Sequence, residues 1–414
     1  QRHLCFLAPM WKQVLDFSFG PGATVAQIVS GKTHDRPLGG FVGVANVGNS
    51  ENWLGSDLAL ANLYAFGRLA WNPNLPVATI AQEWTHLNWG SDPAVVKTIG
   101  DLLLRSWHVY ENYTGPLGLG TLTDILHSHY GPGIESAERN GWGQWIRADH
   151  EGIGMDRTVA TGTGFTGQYP AAVARIYESL ATTPDDLLLF FHHVPYMYRL
   201  HLGETVVQHV YDSHYAAADE AQQFPERWAA LRGKIDDARF EHVLAQLTYQ
   251  AGHSIVWRDA VCNWFARESG IPDTKGRVGH YPDRLEAENM QLGGYTIEDV
   301  TPWEDASGGK AIVCRQTPCT ASFVYSGKSG TSDLAVQYFD LPGGAARFAL
   351  FVNDREIAAW TADATLPAKI PNGDTSTRRM IPKIALNAGD RIRIEGVPEG
   401  SDSAAFDYVS IHAR

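Results

Sequence analysis

Short apolar runs alternate with helical patterns in the first part of the chain, residues 1–82. Runs 4–7 and 41–44 have the length and composition of buried strands. A polar loop follows the second run, and Ser56 or Asp57 then stands where a helix begins. Strand, polar loop and helix in this order predict a βα unit of a parallel sheet. Too few strands are present to close a barrel, so we expect further strands upstream of this chain.

Residues 83–283 follow a helical period. Asp92 precedes Pro93, a pairing typical of a helix start, and apolar residues then recur at helical spacing. Three more helices are predicted, beginning at 183–186, spanning 224–232 and spanning 235–268. A long glycine-rich stretch, 115–169, lies between the helix that starts at Asp92 and the helix that begins at 183–186. Long loops of this kind are often functional.

The pattern changes to period two in residues 284–414. Turn signals such as Pro-Gly-Gly at 342–344 and Asn-Ala-Gly-Asp at 387–390 separate short apolar runs. The predicted strands are 322–325, 334–339, 346–352, 391–394 and 408–411. This spacing predicts an antiparallel β-sandwich. The expected fold is therefore α/β, then all-α, then all-β.

Composition and charge exclude two classes of function. The hydrophobic fraction of 44% and the charged fraction of 19% are typical of folded globular domains. The net charge of −13 leaves no basic footprint for nucleic acid. No apolar run approaches the ~20 residues of a membrane helix. We therefore expect neither a nucleic-acid partner nor a membrane.

Two small motifs point to an oxidising compartment. Cys314 and Cys319 could close a short disulfide loop, or remain two free thiols. Asn112 opens an Asn-Tyr-Thr sequon for N-glycosylation. Together they favour a secreted, extracellular glycoprotein.

The densest polar constellation is residues 126–163, here called the polar block. Glycines alternate with Trp142 and Trp145, which lets the backbone approach a ligand while rings supply flat walls. Arg147 and Arg157 could each pair with a carboxylate. The alternative is a buried ion-pair network that only orders a long loop. A similar internal ion pair, close to a core tryptophan, is the favoured interpretation of Trp257-Arg258-Asp259.

Several motifs resemble fungal-type α-glucuronidases of glycoside hydrolase family 67. They are 3–12, 129–133, 141–145, 152–164, 185–196, 211–215, 249–253 and 257–261. The resemblance implies that 1–82 is the late part of a (β/α)8 barrel and 83–283 the family's helical C-terminal domain. It also implies removal of (4-O-methyl-)glucuronic acid from the α-1,2 bond to xylose in glucuronoxylan oligosaccharides.

The resemblance also assigns roles, and one set is missing. Family members are inverting glycosidases with a carboxylic acid and a carboxylate base, and the positions that match these groups lie upstream of Gln1. No catalytic residue is therefore assigned here, although Glu83, Asp149 and Asp156 are local carboxylates one could nominate. Trp142 matches the family's tryptophan in the sugar pocket, and Trp145 is the second choice. Arg147 and Arg157 are further substrate-binding candidates.

Three motifs of residues 284–414 are Glu286-Ala287-Glu288, Ser307-Gly308-Gly309 and the late Asp407-Tyr408-Val409. In these motifs the region resembles carbohydrate-binding modules of families 35 and 6. The resemblance implies a structural Ca²⁺ held by Glu286, Glu288 and Asp407, oxygen ligands that suit a hard cation. The alternative is ordinary surface carboxylates. Neither Trp303 nor Trp360 can be assigned to a sugar site. No cofactor is expected for catalysis.

Partners follow from the same resemblance. We expect the missing N-terminal half of the enzyme, and a homodimer of the kind the family tends to form. The runner-up is a non-catalytic carbohydrate-binding protein made of the helical and sandwich domains.

Overall fold

The computed structural model describes most of the chain. The described residues are 2–20, 23–33, 39–45, 47–48, 50, 52–119, 131–132, 148, 150–301, 306–316, 318–364, 366 and 368–414. They form two compact units. The first unit takes its described residues from Gln1–Gly120, Ile153–Gly203 and Ser213–Ala251, and the second from Thr121–Gly152, Glu204–Asp212 and Gly252–Arg414.

The first unit is helical in its described residues. Its helices are α1 (Ala8–Asp16), α2 (Val25–Val29), α3 (Leu60–Trp71), α4 (Val77–Trp89), α5 (Pro93–Thr114), α6 (Ala171–Glu178), α7 (Leu188–Phe191) and α9 (Phe224–Ala229). Helices α8 (Val206–Ala221) and α10 (Asp237–Ser269) have residues in both units. Strands β1 (Gly152–Ile153) and β2 (Val194–Pro195) form a small sheet.

Helix α5 begins where the sequence predicts. The Asp92 carboxylate accepts hydrogen bonds from the backbone N–H of Ala94 at 2.8 Å and of Val95 at 3.2 Å, and Pro93 takes the first helical position. Ile99 and Leu103, one turn apart, are fully buried. A good cap and one apolar stripe therefore account for this helix.

The predicted strand at residues 4–7 is wrong. Side chains, rather than a neighbouring strand, bond its buried backbone: Gln250 Oε1 accepts from Leu4 N at 2.8 Å, Ser106 Oγ from Phe6 N at 2.9 Å, and Asn62 Oδ1 from Leu7 N at 2.7 Å. Each buried backbone group needs a partner, and polar side chains supply it here. An apolar run encodes burial, but not the kind of partner.

The second predicted strand, 41–44, also forms no strand in the structure. Its side chains are exposed, with Val42 at 92% and Val44 at 99% of their full accessibility. Strand formation needs a paired backbone, and no strand among the described residues pairs with this run. The (β/α)8 arrangement and the predicted boundaries at 82 and 283 stay predictions.

The helix predicted to begin at 183–186 is short. Asp185–Leu187 form one 3₁₀ turn, and α7 ends at Phe191. The Asp185 carboxylate accepts from the backbone N–H of His201 at 3.2 Å and lies 2.7 Å from its Nδ1. Asp185, predicted as part of a helix start, therefore fixes the loop that contains His201.

The second unit contains the predicted β-sandwich. Its strands are β3 (Arg284–Glu286), β4 (Gln291–Gly293), β5 (Thr296–Asp299), β6 (Lys310–Val313), β7 (Cys319–Val324), β8 (Gly330–Phe339), β9 (Arg347–Val352), β10 (Arg355–Thr361), β11 (Ser376–Leu386), β12 (Arg391–Val397) and β13 (Phe406–Ala413). One sheet has the order β10-β9-β12-β7-β4. The other has the order β11-β8-β13-β6-β5, with β3 also pairing to β13. All these pairs are antiparallel.

Period-two alternation builds the sandwich core. On β12 Ile392 and Ile394 are fully buried, and they pair with Val352 and Leu350 of β9. Alternate residues of a strand face opposite sides of its sheet, so each strand gives one apolar row to the core. A disulfide joins the two cysteines at 314 and 319 beside this core.

Candidate functional site

The C-terminal end of the polar block, residues 153–163, packs against α7. Met155 N donates to Leu189 O at 3.0 Å, and Arg157 N donates to Phe191 O at 2.9 Å. Gly154 has a φ of +95°, and a Cβ there would lie 2.1 Å from the carbonyl oxygen of His192. Only glycine permits this close approach of two backbones.

Two carboxylates order the same segment. Asp156 accepts hydrogen bonds from the hydroxyls of Thr158 and Thr161, both at 2.6 Å. Burial raises the pKa of Asp156, but the bonds from Thr158 and Thr161 outweigh burial and lower the pKa overall. Glu178 on α6 accepts from the backbone N–H of Val159 at 2.9 Å and of Ala160 at 3.0 Å. Sequence reasoning missed Glu178, since nothing local marks it as a partner of this loop.

Arg157 is bound within its own unit. Its guanidinium donates to the carbonyl of Phe190 and lies 3.8 Å from the centre of the Phe190 ring. Burial lowers the pKa of this arginine. Hydrogen bonds and the contacts of Arg157 with Phe190 thus order residues 153–163, and a role of Arg157 in substrate binding stays a prediction.

The remaining sugar-site candidates lie outside the described residues. These are Trp142, Trp145 and Arg147, together with the nominated carboxylate Asp149. Within the polar block, the described residues are Gly131, Pro132, Ala148 and 150–163.

Glu83 is engaged in a structural ion pair. Its carboxylate accepts two hydrogen bonds from Arg68, at 2.8 and 3.0 Å, and one from the Tyr64 hydroxyl at 3.1 Å. The bonds from Arg68 hold the pKa of Glu83 below its ordinary value. A carboxylate so neutralised is poorly suited to proton transfer near neutral pH.

The Trp257-Arg258-Asp259 motif of α10 is the internal ion pair that its sequence predicts. Trp257 is buried, and the guanidinium of Arg258 lies 2.7 Å from Oδ1 of Asp259. A second guanidinium, from Arg284 on β3, lies 2.6 Å from Oδ2 of Asp259. The chemistry of this motif is thus structural.

Glu286, Glu288 and Asp407 come together in the sandwich around Ser307. The Ser307 hydroxyl donates to Glu286 Oε1 at 2.7 Å, and its backbone N–H lies 3.0–3.1 Å from both Asp407 oxygens. Burial raises the pKa of all three carboxyls. The Oε2 atoms of Glu286 and Glu288 are buried with no hydrogen-bond partner.

These carboxylates meet only part of what a metal site requires. Buried oxygens without partners are the donors that a hard cation takes. However, within the described ranges no group of three His, Cys, Asp or Glu side chains is arranged to hold a metal ion. The three side chains gather, but as they stand they do not converge on one point.

Two further candidates have clear surroundings. Asn112 lies in the last turns of α5 and its side-chain amide is 2.9 Å from His108 Nε2. Trp360 is buried in the sandwich, stacked on Phe348 with ring centres 5.3 Å apart. Trp360 is therefore a core residue, and Trp303 lies outside the described residues.

Comparison with protein families supplies the assignment. The model described as "Glycosyl hydrolase family 67 C-terminus" matches residues 54–278, and "Glycosyl hydrolase family 67 middle domain" matches residues 1–53. The chain belongs to glycosyl hydrolase family 67. Family 67 thus accounts for the first two predicted regions, although the family models meet at residue 53 and the prediction placed that boundary at 82.

Curated relatives match this chain over nearly its whole length. "Probable alpha-glucuronidase A" of Aspergillus clavatus is 51% identical, and its namesake from Aspergillus flavus is 50% identical. Each alignment covers 99% of this chain and 50% of the relative. The chain therefore spans about half the length of these relatives.

Two solved structures that resemble this chain each cover about a third of it. A family 35 carbohydrate-binding module from Paenibacillus barcinonensis is 16% identical, covering 32% of this chain and 98% of that one, with a TM-score of 0.25. The module CBM36 in complex with calcium and xylotriose is 18% identical, covering 31% and 98%, with a TM-score of 0.23. Among the described residues, no helix has the length and hydropathy that crossing a membrane requires.

Proposed function

We propose that this chain is part of an α-glucuronidase. The substrate is a xylan-derived oligosaccharide, and the bond cleaved is the α-1,2 bond between (4-O-methyl-)glucuronic acid and xylose. The observation that carries the proposal is the match to relatives named alpha-glucuronidase over 99% of the chain. Membership of family 67 supports the same reaction class.

The catalytic carboxylates come from outside this chain. Glu83 is neutralised by Arg68, and Asp156 accepts hydrogen bonds from two threonine hydroxyls. Both carboxylates are thus engaged within this chain, and the third nominated carboxylate, Asp149, lies outside the described residues. An inverting glycosidase needs an acid and a base whose carboxyls stand ~6.5–9.5 Å apart, with a water between the base and the sugar.

This chain contributes to sugar binding instead. Trp142 is the candidate for an apolar wall against the pyranose face and the methyl ether, and Trp145 is the second choice. Arg147 is the candidate partner of the glucuronic acid carboxylate. Arg157 has a lesser role, because its guanidinium already contacts Phe190.

Activity measured on two protein samples tests the proposal. The full-length enzyme should release glucuronic acid from an aldouronic acid, and NMR should detect the β-anomer first, since inversion changes the α-configuration. This chain alone should release none. Turnover by this chain alone contradicts the assignment of the carboxylates, and an inactive full-length enzyme contradicts the function.

A non-catalytic carbohydrate-binding protein is the second candidate. The observation in its favour is that residues 284–414 form a sandwich with its own continuous core. Calorimetry of this chain with xylo-oligosaccharides distinguishes the two. Binding of unsubstituted xylo-oligosaccharides, together with an inactive full-length enzyme, favours the second candidate.

The sandwich also binds a structural Ca²⁺ in this proposal. Glu286, Glu288 and Asp407 are the side-chain ligands, after small rotations that bring their oxygens to one point. The two buried Oε2 atoms without partners support it, because a cation would satisfy both at once. Bound Ca²⁺ would neutralise three buried carboxyls and hold the two ends of the sandwich chain together.

We further propose that the protein acts outside the cell and carries a glycan on Asn112. The disulfide between Cys314 and Cys319 supports an oxidising compartment. A mass shift on treatment with an N-glycosidase checks the glycan. A homodimer stays a prediction for the full-length enzyme.

A further inference from the structure

A polar loop of the sandwich is buried at residues 372–376. Asn372 Oδ1 accepts from Asp374 N at 3.0 Å, and the Thr375 hydroxyl donates to Ile370 O at 2.9 Å. Asp374 is only 1% exposed and Thr375 is fully buried. Loops usually run over a protein's surface, so a loop that is both pre-formed and buried has a specific neighbour.

One neighbour is helix α10, within the same unit. His253 is fully buried, and its Nε2 lies 2.6 Å from the carbonyl oxygen of Gly373. A Cβ on Gly252 would lie 2.6 Å from the Cβ of Arg378 on β11. These close contacts fix the loop against the helix.

The other neighbour is Gly131, in the polar block. Its backbone N–H donates to Oδ1 of Asp374 across a sequence separation of 243 residues. A Cβ on Gly131 would lie 2.7 Å from that oxygen and 3.0 Å from the backbone carbon of Gly373. Gly131 therefore meets the sandwich loop at a distance that excludes a side chain.

The far end of the same stretch is also tied down. His150 Nδ1 lies 2.7 Å from Oε1 of Glu268, close to the end of α10. Trp142 and Arg147 lie between these two anchors in sequence. The anchors at Gly131 and His150 belong to the same compact unit as the sandwich.

We propose that Asp374 is a positioning residue for sugar binding: the β-sandwich uses it to hold the start of the segment that carries Trp142. The proposal rests on the function proposed above. The sandwich thus contributes to the glucuronic acid site through the backbone of Gly131, whether or not the sandwich itself binds a sugar. The carboxylate is a strong acceptor for a backbone N–H, and hydrogen bonds order its own loop.

Hydrogen exchange and kinetics test this directly. Asp374→Ala removes the acceptor, Asp374→Asn keeps an acceptor oxygen, and Gly131→Ala disturbs the contact without changing the sandwich. Asp390→Ala is the matched control, because Asp390 also orders a sandwich loop, through Asn387 and Asn353, away from the polar block. Exchange is measured on this chain, and kcat and KM on the full-length enzyme with an aldouronic acid.

We expect Asp374→Ala and Gly131→Ala to raise the amide exchange of Gly131 and of residues 150–152 at least fivefold, and to raise KM at least threefold. Asp374→Asn should recover most of both effects, and Asp390→Ala should resemble the wild type. Unchanged exchange in Asp374→Ala overturns the proposal. So does faster exchange with unchanged KM, or an Asp374→Asn variant as impaired as Asp374→Ala. A wild-type enzyme inactive on aldouronic acids instead refutes the proposed function, and the exchange result still decides whether Asp374 holds Gly131.

Discussion

Arg284 donates from Nη2 to Oδ2 of Asp259 across 2.6 Å and thereby joins the first strand of the sandwich to helix α10. The same guanidinium lies between two aromatic rings, 3.8 Å from the centre of Tyr281 and 3.9 Å from that of Tyr408. Burial raises the pKa of Asp259, but the charges of Arg258 and Arg284 outweigh burial and lower it overall. Asp259 is the shared counter-ion of two buried arginines.

Replacing Asp259 by Ala should therefore lower the free energy of unfolding by about 3–5 kcal/mol, because two largely buried guanidinium groups lose a shared carboxylate partner. Urea unfolding measures this. Asp333→Ala is the control, since the pair of Asp333 with Arg414 is more exposed and should cost about 1 kcal/mol or less. Equal losses of unfolding free energy in the two variants would show that the buried ion pair stabilises the fold no more than the exposed pair does.

Stability should depend on the ionisation of Asp402. Burial raises the pKa of this carboxyl from 3.8 to about 6, with Asp340 adding to the effect. Because the folded pKa lies above the unfolded one, ionisation disfavours the fold, and stability falls as pH rises from about 4 to about 6. Asp402→Asn should remove this pH dependence. The free energy of unfolding of the variant, relative to that of the wild type, should therefore rise by about 2 kcal/mol between pH 4 and pH 7. A wild-type-to-variant difference that is constant with pH would contradict this.

Calcium removal should destabilise the sandwich. EDTA should lower the melting temperature of this chain by several degrees, since a ligand that binds only the folded state stabilises it by mass action. A Glu286→Gln/Glu288→Gln double variant should not respond to EDTA, whereas Glu298→Gln, in an exposed pair with Arg315, should respond like the wild type. A melting temperature that neither EDTA nor added Ca²⁺ moves in the wild type rules the site out.

Trp142 should matter for transition-state binding. In the full-length enzyme, Trp142→Ala should lower kcat/KM by more than tenfold, or more than about 1.4 kcal/mol, since a flat apolar wall is lost. Trp71→Ala is the control, because Trp71 is 86% exposed. Kinetics unchanged in both variants would remove Trp142 from the pocket.

Arg157 should affect folding more than catalysis. Arg157→Lys loses the fixed contact with the ring and carbonyl of Phe190, and the free energy of unfolding should fall by about 1–2 kcal/mol. KM for an aldouronic acid should stay within twofold. A large rise in KM with unchanged stability would instead assign Arg157 to the substrate.

The sequence predicted elements wherever the signal is local. Asp92 and Pro93 mark the start of α5, and the alternation at 391–394 lies within β12. It missed β3–β6, β10 and β11. In β11 the exposed Arg379 and Lys383 interrupt the apolar pattern. It predicted strands at 4–7 and 41–44 because apolar runs report burial tendency and not pairing.

The sequence by itself determined the family, the start of α5, the period of the sandwich and the close pairing of Arg258 with Asp259. Tertiary structure alone decided that Asp374 meets Gly131, that Arg284 completes the ion pair, and that Arg157 lies on Phe190. The physical reason is the distance along the sequence over which each interaction acts. Caps and alternation act within a few residues, whereas a buried carboxylate takes whichever donor the folded chain brings to it, here up to 243 residues away.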